Sequence, residues 1–371
     1  MNEPRRISVI TGSRADFGLL DPVIAAMHER GDLNVEVVVA GTHLLEPART
    51  VDDVRARFPV AAEVPMQVAG QDGRPADARA LARGISGFAE LFIASPPDIV
   101  LVLGDRIEAF AAASAAAIGG IRVAHIHGGD RAEGVADESM RHAISKLAHV
   151  HLAASPRSAE RLLCLGEHPV RIHLTGSPAI DGLATIPPLD DAAFDELQRP
   201  DVVVLMHPTG EADMVEEARA GAVLDTAARF GRVLAMHPNH DPGRAGVAAA
   251  IAARPHLPTV HHLPRPTFIG LLRRVRLLAG NSSAGRIEAA AIPVRTVCIG
   301  PRQAGRERPR HLIACPGFDE AALYSAFERG FHEPIVPFRH PYGDGHAGRA
   351  IAEVVRRFAP DKHPLTKRNT F

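Results

Sequence analysis

Two carboxylates and two histidines follow short apolar runs of the kind that form buried strands. Asp105 comes directly after Ile99–Leu103. His125, His127 and Asp130 stand at the end of a second run. A carboxylate that is partly desolvated in a cleft has a raised pKa and can act as a general acid or base. Asp105 is therefore a candidate for proton transfer, and the alternative for it is an ordinary helix N-cap.

The stretch from His125 to Asp130 has two interpretations. On a strand, alternation places His125 and His127 on one face, and a pair of histidines with a nearby carboxylate resembles a metal site. No further ligand stands at a suitable spacing, and the strand runs into Gly128-Gly129, a turn that a phosphate or a sugar can approach closely. We expect no metal and no cofactor, and the metal site remains the weaker alternative.

Asp137 and Arg141 are four residues apart, at the start of a helix predicted over about residues 138–148. At this spacing the two side chains share one helix face, beside the apolar stripe of Met140 and Ile144. The pair is either a surface salt bridge or a carboxylate that Arg141 holds at the rim of a site.

Small and hydroxylated residues follow the predicted strand Arg276–Ala279. Gly280 opens this stretch, and Ser282 and Ser283 precede a predicted helix over residues 284–291. A helix N-terminus with serine hydroxyls is suited to a diphosphate, and the alternative is an ordinary capped turn. Glu288, farther along the same helix, is placed to accept hydrogen bonds from a ribose diol.

Four further residues are candidates for substrate contacts because each follows a predicted strand. Arg14 lies in the first strand-to-helix turn, which lacks the glycine pattern of a dinucleotide site. His207 and Asn239 follow two strands of the second half, and Arg302 begins a run rich in arginine. Arginine suits phosphate groups, although a solvated basic loop is the more common outcome for such a run.

Apolar runs alternate with alanine-rich helical stretches along the whole chain. This alternation predicts an α/β protein with two doubly wound, Rossmann-like domains of parallel strands. We place the first domain at residues 1–180 and the second at 181–344, and a last helix and tail at 345–371. Ligands bind at the carboxyl ends of parallel strands, so the two domains are expected to face each other across one cleft.

Composition excludes several classes of protein. The 371 residues carry 42 basic and 43 acidic side chains, a net charge of −1 that offers no basic surface for nucleic acid. Three widely spaced cysteines indicate neither a disulfide framework nor a thiolate metal site. No apolar run is long enough to span a membrane, and no secretion signal opens the chain, so we expect a cytoplasmic protein.

Taken together, these stretches resemble the hydrolysing UDP-N-acetylglucosamine 2-epimerases, especially the branch that feeds sialic and legionaminic acid synthesis. Each motif is weak alone, and their order and spacing over nearly the whole chain are specific. The motifs are Thr11–Gly18, Gly104–Arg106, His125–Asp130, Asp137–His142, Gly176–Pro178, Gly280–Gly285, Arg302–Glu307 and Pro341–Gly345.

The resemblance implies the two-domain GT-B fold with its active site in the interdomain cleft. It implies a metal-independent reaction in which UDP is eliminated across C1–C2 to give a 2-acetamidoglucal. Water then adds across the same bond with inversion at C2, and N-acetylmannosamine is released. A homodimer or homotetramer is expected by the same analogy.

Residue by residue, the resemblance assigns roles to the candidates. Asp105 and Asp137 match acid/base positions, and Arg141 matches a residue that orients Asp137 or steadies developing charge. The remaining matches are substrate contacts, with Arg14 toward the substrate, His207 near the diphosphate, Ser282 and Ser283 on phosphate, and Glu288 on the ribose.

The chain departs from the family at His127, where some members carry an acid/base Glu. His127 or the neighbouring Asp130 must then supply that group. A GDP-sugar or a UDP-2,4-diacetamido-trideoxy sugar is the alternative substrate. The sequence is also compatible with a GT-B glycosyltransferase and with a non-catalytic nucleotide-sugar-binding protein.

Overall fold

The computed structural model describes residues 4–46, 49–71, 73–132, 137–239, 241, 243–292, 294–336, 338–359 and 364–370. Its strands are β1 (Arg5–Thr11), β2 (Leu33–Ala40), β3 (Val60–Val64), β4 (Ile99–Leu103), β5 (Arg122–Ile126), β6 (Val150–Ala153), β7 (Ile172–Leu174), β8 (Val202–Leu205), β9 (Val233–Met236), β10 (Thr259–Val260), β11 (Leu277–Gly280), β12 (Arg295–Ile299) and β13 (Leu312–Cys315).

Helices connect most of these strands. They are α1 (Arg14–His28), α2 (Val51–Arg55), α3 (Arg74–Ala94), α4 (Ile107–Ile118), α5 (Asp137–Leu147), α6 (Pro156–Cys164), α7 (Asp191–Glu196), α8 (Asp213–Ala228), α9 (Arg244–Ala252), α10 (Arg265–Leu272), α11 (Glu288–Ala291), α12 (Glu320–His332) and α13 (Ala347–Arg357). Short 3₁₀ turns lie at Gly41–Leu44, Pro169–Arg171, Pro178–Ile180, Leu183–Thr185 and Ser283–Gly285.

The strands form two parallel sheets. The first has the order β3-β2-β1-β4-β5-β6-β7 and the second β10-β9-β8-β11-β12-β13. The chain divides accordingly into two compact units, Met1–Asp130 with Asp137–Asp181 and Tyr342–Phe371, and Arg131–Ala136 with Gly182–Pro341. The predicted fold class, two doubly wound α/β domains, is confirmed.

Side chains along the apolar strands of the first sheet point alternately into two hydrophobic cores. Ile99, Leu101 and Leu103 of β4 pack into the core that contains α1 and α13. Val100 and Val102 point to the opposite face, against the alanine-rich helix α4 and its neighbour α3. A parallel sheet covered by helices on both faces requires such continuous apolar strands.

The last helix, α13, packs on α1. Ile351 and Val355 of α13 belong to the same buried cluster as Leu20 and Ile24 of α1. Its first turn is held by Asp181, whose carboxylate accepts from the backbone N–H groups of Ala347 (2.8 Å) and Gly348 (2.6 Å).

Two details of the predicted elements are wrong in ways that bear on function. The single helix predicted over residues 284–291 is replaced by the 3₁₀ turn Ser283–Gly285 and the four-residue helix α11. Strand β5 ends at Ile126, so His127 lies beyond it with a left-handed φ of 65°. Strand alternation therefore does not place His127 beside His125.

Candidate active site

A tight turn after β4 presents Asp105. Gly104 adopts φ 76° there, and its carbonyl accepts a hydrogen bond of 2.7 Å from Nε2 of His125. The N-cap of α4 is Arg106, which makes no side-chain cap hydrogen bond, so Asp105 is not the N-cap of that helix. Its carboxylate instead forms an ion pair with the guanidinium of Arg141 and stays 20% exposed.

His125 supports this turn through both of its ring nitrogens. Its Nδ1 lies 3.2 Å from Oγ of Ser145, and burial lowers the pKa of His125 to about 3. The ring is therefore neutral at physiological pH, with both nitrogens engaged by the protein. Within the part of the chain that the structure describes, no group of three or more His, Cys, Asp or Glu side chains is arranged to hold a metal.

Arg141 lies at the centre of a cluster of acidic side chains in the first unit. It is 2% exposed, and its Nη1 donates to Oε2 of Glu138 (2.6 Å) and to the backbone carbonyl of Asp130 (3.3 Å). Glu138 stays 17% exposed. Two accessible carboxylates, from Asp105 and Glu138, thus share one buried guanidinium.

Asp137 is the first residue of α5. Its side chain lies outside the described part of the structure, so its predicted pairing with Arg141 stays a prediction. Glu138 was not a candidate, although its spacing of three residues from Arg141 is a recognised helical ion-pair spacing.

His127 and Asp130 form a buried hydrogen-bonded pair. Nδ1 of His127 lies 2.8 Å from Oδ2 of Asp130, and Nε2 lies 3.0 Å from Oγ of Ser177. Oδ1 of Asp130 accepts from Oγ of Ser158 at 2.6 Å. The contact of Nδ1 with a carboxylate and of Nε2 with the Ser177 hydroxyl fixes the orientation of the His127 ring.

The order Ser177–His127–Asp130 has the connectivity of a hydrolytic triad. The serine is fully buried, and His127 and Asp130 are 5% and 3% exposed. The Ser177 hydroxyl also accepts from the backbone N–H of Ala179 at 3.2 Å. The arrangement therefore fixes the His127 ring and leaves the serine no access to an acyl group.

In the second unit, His207 follows β8 and is joined to β11. Its backbone N–H donates to Oδ1 of Asn281 (2.7 Å), and Nδ2 of Asn281 donates to its carbonyl (2.7 Å). The N–H of Asn239 donates to Nδ1 of His207 (3.2 Å). Burial, followed by the charge of Arg302, lowers the pKa of His207 to about 3. Neutral His207 then carries its proton on Nε2, where it can donate to an anion.

Arg302 lies next to this histidine. Its guanidinium contacts Oδ2 of Asp241 (3.3 Å) and the carbonyl of Asn281 (3.4 Å). Nδ2 of Asn239 also donates to Oδ2 of Asp241, at 2.6 Å. The side-chain amides of Asn239 and Asn281 already donate to protein acceptors. Nε2–H of His207 and the guanidinium of Arg302 are therefore the donors that could face an anion, beside the carboxylate of Asp241.

The remaining predicted contacts of this unit follow β11. Gly280 has φ 143°, and a Cβ there would lie 2.0 Å from the carbonyl oxygen of Leu205, so this glycine permits close strand packing. Ser282 caps the following 3₁₀ turn through the N–H of Ala284 (3.3 Å). Ser283 begins that turn, and Glu288 begins α11. The helix N-terminus predicted as a diphosphate site is thus replaced by a 3₁₀ turn and a four-residue helix, so little helix dipole is available here.

The structure thus joins the candidates into two groups, one in each unit. Asp105, Arg141, Asp130 and His127 belong to one connected network, and His207, Asn239 and Arg302 to another. Arg14 is exposed, and its Nε lies 3.6 Å from a carboxylate oxygen of Asp53. Asn281, Ser158 and Ser177 were missed, because their partners are distant in sequence.

The family model of the UDP-N-acetylglucosamine 2-epimerases matches residues 25–356. The chain belongs to this family. It is 32% identical to a hydrolysing UDP-N,N′-diacetylbacillosamine 2-epimerase of Legionella pneumophila, over 99% of this chain and 100% of that one. It is also 32% identical to a UDP-N-acetylglucosamine 2-epimerase of Neisseria meningitidis serogroup B, over 83% of each chain.

A crystal structure of Methanocaldococcus jannaschii UDP-GlcNAc 2-epimerase, in complex with UDP-GlcNAc and UDP, superimposes with a TM-score of 0.80. The two share 16% identity, and the match covers 94% of this chain and 99% of that one. At 16% identity, this match shows that the two proteins share a fold. Within the described residues of our structure, no helix has the length and apolar character needed to cross a membrane.

Proposed function

We propose that this epimerase-family chain hydrolyses a UDP-2-acetamido sugar, releasing UDP and the sugar with inverted configuration at C2. The observation that carries the proposal is the buried guanidinium of Arg141, shared by the accessible carboxylates of Asp105 and Glu138 in a chain of this family. Inversion at C2 requires a proton to leave one face and another to arrive on the opposite face. Two carboxylates supply the groups for these transfers.

Elimination breaks the C2–H bond and the C1–O bond to UDP, which gives a 2-acetamidoglucal. Hydration then delivers a proton to C2 and a hydroxyl group to C1. Asp105 is the first candidate for one proton transfer, and Asp137 or Glu138 for the other. Arg141 holds the carboxylates of Asp105 and Glu138 in place through its two ion pairs.

His127 and Asp130 receive a supporting role in this proposal. Both oxygens of Asp130 and both ring nitrogens of His127 are already engaged by the protein. We therefore assign them to fixing the backbone after β5, and direct proton transfer by His127 is the alternative.

The second unit is assigned the diphosphate. Arg302 supplies positive charge, and Nε2–H of His207 supplies a neutral donor. Ser282 and Ser283 remain proposed phosphate ligands, Glu288 a proposed ribose ligand, and Asn239 and Arg14 proposed substrate contacts.

The sugar has two candidates. UDP-N-acetylglucosamine gives N-acetylmannosamine, and the Neisseria relative carries this name. UDP-N,N′-diacetylbacillosamine is the second candidate, because the Legionella relative matched over the whole chain is named for it. The two sugars differ at C4 and C6, away from the C1–C2 bond at which both reactions occur.

A substrate panel tests the proposal. The protein is incubated with UDP-N-acetylglucosamine, UDP-N,N′-diacetylbacillosamine and a GDP-linked counterpart, and the released nucleotide and sugar are identified. We expect free UDP and a C2-epimerised sugar from one of the UDP substrates. Release of UDP only when a sugar acceptor is added would identify a glycosyltransferase, and binding without turnover a non-catalytic protein.

The family resemblance also supports a homodimer or homotetramer at work in the cytoplasm. Size-exclusion chromatography with light scattering measures the oligomeric state. A monomeric mass for the active enzyme would contradict it.

A further inference from the structure

The C-terminal tail, residues 364–370, contacts the C-terminal end of helix α5. Nζ of Lys367 donates to the backbone carbonyls of Lys146 (2.9 Å), Ala148 (2.5 Å) and Ser145 (3.3 Å). The last four carbonyls of a helix have no partner within the helix, and they carry its partial negative charge. The ammonium group contacts the carbonyls of Ser145 and Lys146 in the last turn and of Ala148 just beyond it, and it complements that charge.

The same ammonium group reaches a buried carboxylate. Oε2 of Glu167 lies 2.7 Å from Nζ of Lys367, and Glu167 is 2% exposed. Glu167 also contacts Nζ of Lys146 (2.7 Å) and Nε2 of His151 (3.0 Å). Lys367 thus ties the end of α5 to a carboxylate of the loop that follows α6.

Other tail residues hold Lys367 in place. The carbonyl of Leu365 lies 3.2 Å from Nε2 of His149, and Oδ1 of Asn369 accepts from Lys146 at 2.8 Å. The backbone N–H of Thr370 donates to the carbonyl of Gly166 at 3.1 Å. These contacts involve residues more than 190 positions apart in sequence, so they constrain the tail against the body of the unit.

The helix that the tail contacts, α5, carries part of the cluster of acidic side chains around Arg141. Arg141 and Glu138 lie on α5. Ser145 links the clamp to the turn after β4, because its carbonyl accepts from Lys367 while its hydroxyl contacts His125. His125 in turn donates to Gly104, the residue before Asp105.

We propose that residues 364–370 act as a clamp in which Lys367 is a positioning residue for the proton-transfer groups on α5 and at Asp105. Lys367 touches no substrate in this proposal and acts only through the helix. The kinetic consequence rests on the proposed function, and the structural consequence does not.

The test uses the full chain with three substitutions. Lys367→Met removes the ammonium group, Lys367→Arg restores a cation, and Arg368→Met is the matched control, because Arg368 is the exposed neighbour in the same tail. Amide hydrogen exchange is measured across α5, and kcat and KM are measured on the substrate identified by the panel. Lys367→Gln replaces the methionine variant if that variant does not fold.

We expect exchange at residues 141–148 to accelerate about tenfold or more in Lys367→Met, with little change in the second unit. We expect kcat to fall about tenfold or more, because small misplacements of reacting groups are costly, while KM and the Kd for UDP stay within about twofold. Lys367→Arg should recover most of both losses, and Arg368→Met should behave as wild type.

Equal exchange in Lys367→Met and Arg368→Met would overturn the clamp. An unchanged kcat with accelerated exchange would overturn its positioning role. If the wild type turns over no substrate of the panel, the proposed function fails, and exchange at α5 still decides the clamp.

Discussion

Arg141 is the residue on which the first unit's candidate chemistry depends. A buried guanidinium without partners would be strongly unfavourable, and here two carboxylates and a backbone carbonyl satisfy it. The same contacts hold the carboxylates of Asp105 and Glu138 in fixed positions while leaving each partly accessible. Proton transfer requires that combination of fixed geometry and access.

Asp105→Asn is expected to lower kcat by about 10²-fold or more while the Kd for UDP is unchanged, because the amide keeps the shape and loses the proton-transfer function. Steady-state kinetics and calorimetric titration with UDP make the comparison. Asp52→Asn, an exposed acid on α2, is the control and should have wild-type kinetics. Near-normal turnover by Asp105→Asn would leave this residue only its structural ion pair.

His207 is expected to stay neutral over the working pH range, because its pKa lies near 3. Its contribution to UDP binding is then a neutral Nε2–H donor, which glutamine can imitate and alanine cannot. We expect His207→Gln to bind UDP within a few-fold of wild type and His207→Ala about tenfold more weakly.

The pH dependence of UDP binding tests whether the His207 ring is neutral. If His207 titrated near its ordinary pKa of 6.5, it would become a cation below that pH and tighten UDP binding there. We expect instead that the ratio of the wild-type and His207→Gln Kd values is constant from about pH 5 to about pH 8. A wild-type advantage that grows toward acidic pH within this range would show that the ring is protonated there.

At the level of single residues, the sequence identified side chains that follow strands and missed the partners that hold them. Asp105 and His207 were predicted because the carboxyl ends of parallel strands collect ligands. Ser177 lies 50 positions from His127, and Asn281 lies 74 from His207. Such pairings depend on how separate elements pack, which local pattern does not specify.

The structural elements differ in how strongly their sequences specify them. The central strand β4 is a continuous apolar run, and its observed bounds, Ile99–Leu103, equal the predicted ones. Strands β3 and β13 were not predicted; each is a partly exposed edge strand of only five or four residues. The interruption of the helix after β11 was not predicted. A run of alanine, isoleucine and glutamate favours a continuous helix locally, whereas the observed turn depends on packing.

Among the elements, α13 depends on a residue far away in sequence. Asp181 accepts hydrogen bonds from the first two backbone N–H groups of α13, which otherwise have no partner in the helix. Asp181→Ala is expected to lower the free energy of unfolding by about 1 kcal/mol, the usual contribution of such a cap. Urea denaturation measures it.

Glu90→Ala is the control for this substitution, because Glu90 is an exposed acid within α3. Alanine is a good helix former, so we expect Glu90→Ala to change stability by less than about 0.5 kcal/mol. Equal stability of Asp181→Ala and Glu90→Ala would show that water replaces the carboxylate at no cost.

For the whole molecule, the family and the two-sheet fold could be predicted from motif order and from strand–helix alternation. Substrate choice could not, because the two relatives of equal identity carry the names of different sugars.

The whole enzyme is expected to work without a metal ion, because Arg302 and neutral donors are available for the diphosphate. Activity on the substrate identified by the panel should be unchanged after dialysis against EDTA. Loss of activity on chelation, with recovery on adding zinc, would favour a metal-dependent hydrolase.

The central claim is that chemistry occurs at C2 of the sugar, and isotope incorporation from solvent tests it most directly. The reaction is run in D₂O, and the released sugar is examined by NMR and mass spectrometry. Proton removal from C2 and its replacement from solvent predict one deuterium at C2 and an inverted configuration there. A released sugar that keeps hydrogen at C2 and its original configuration would contradict the proposed epimerase reaction, even if UDP were formed.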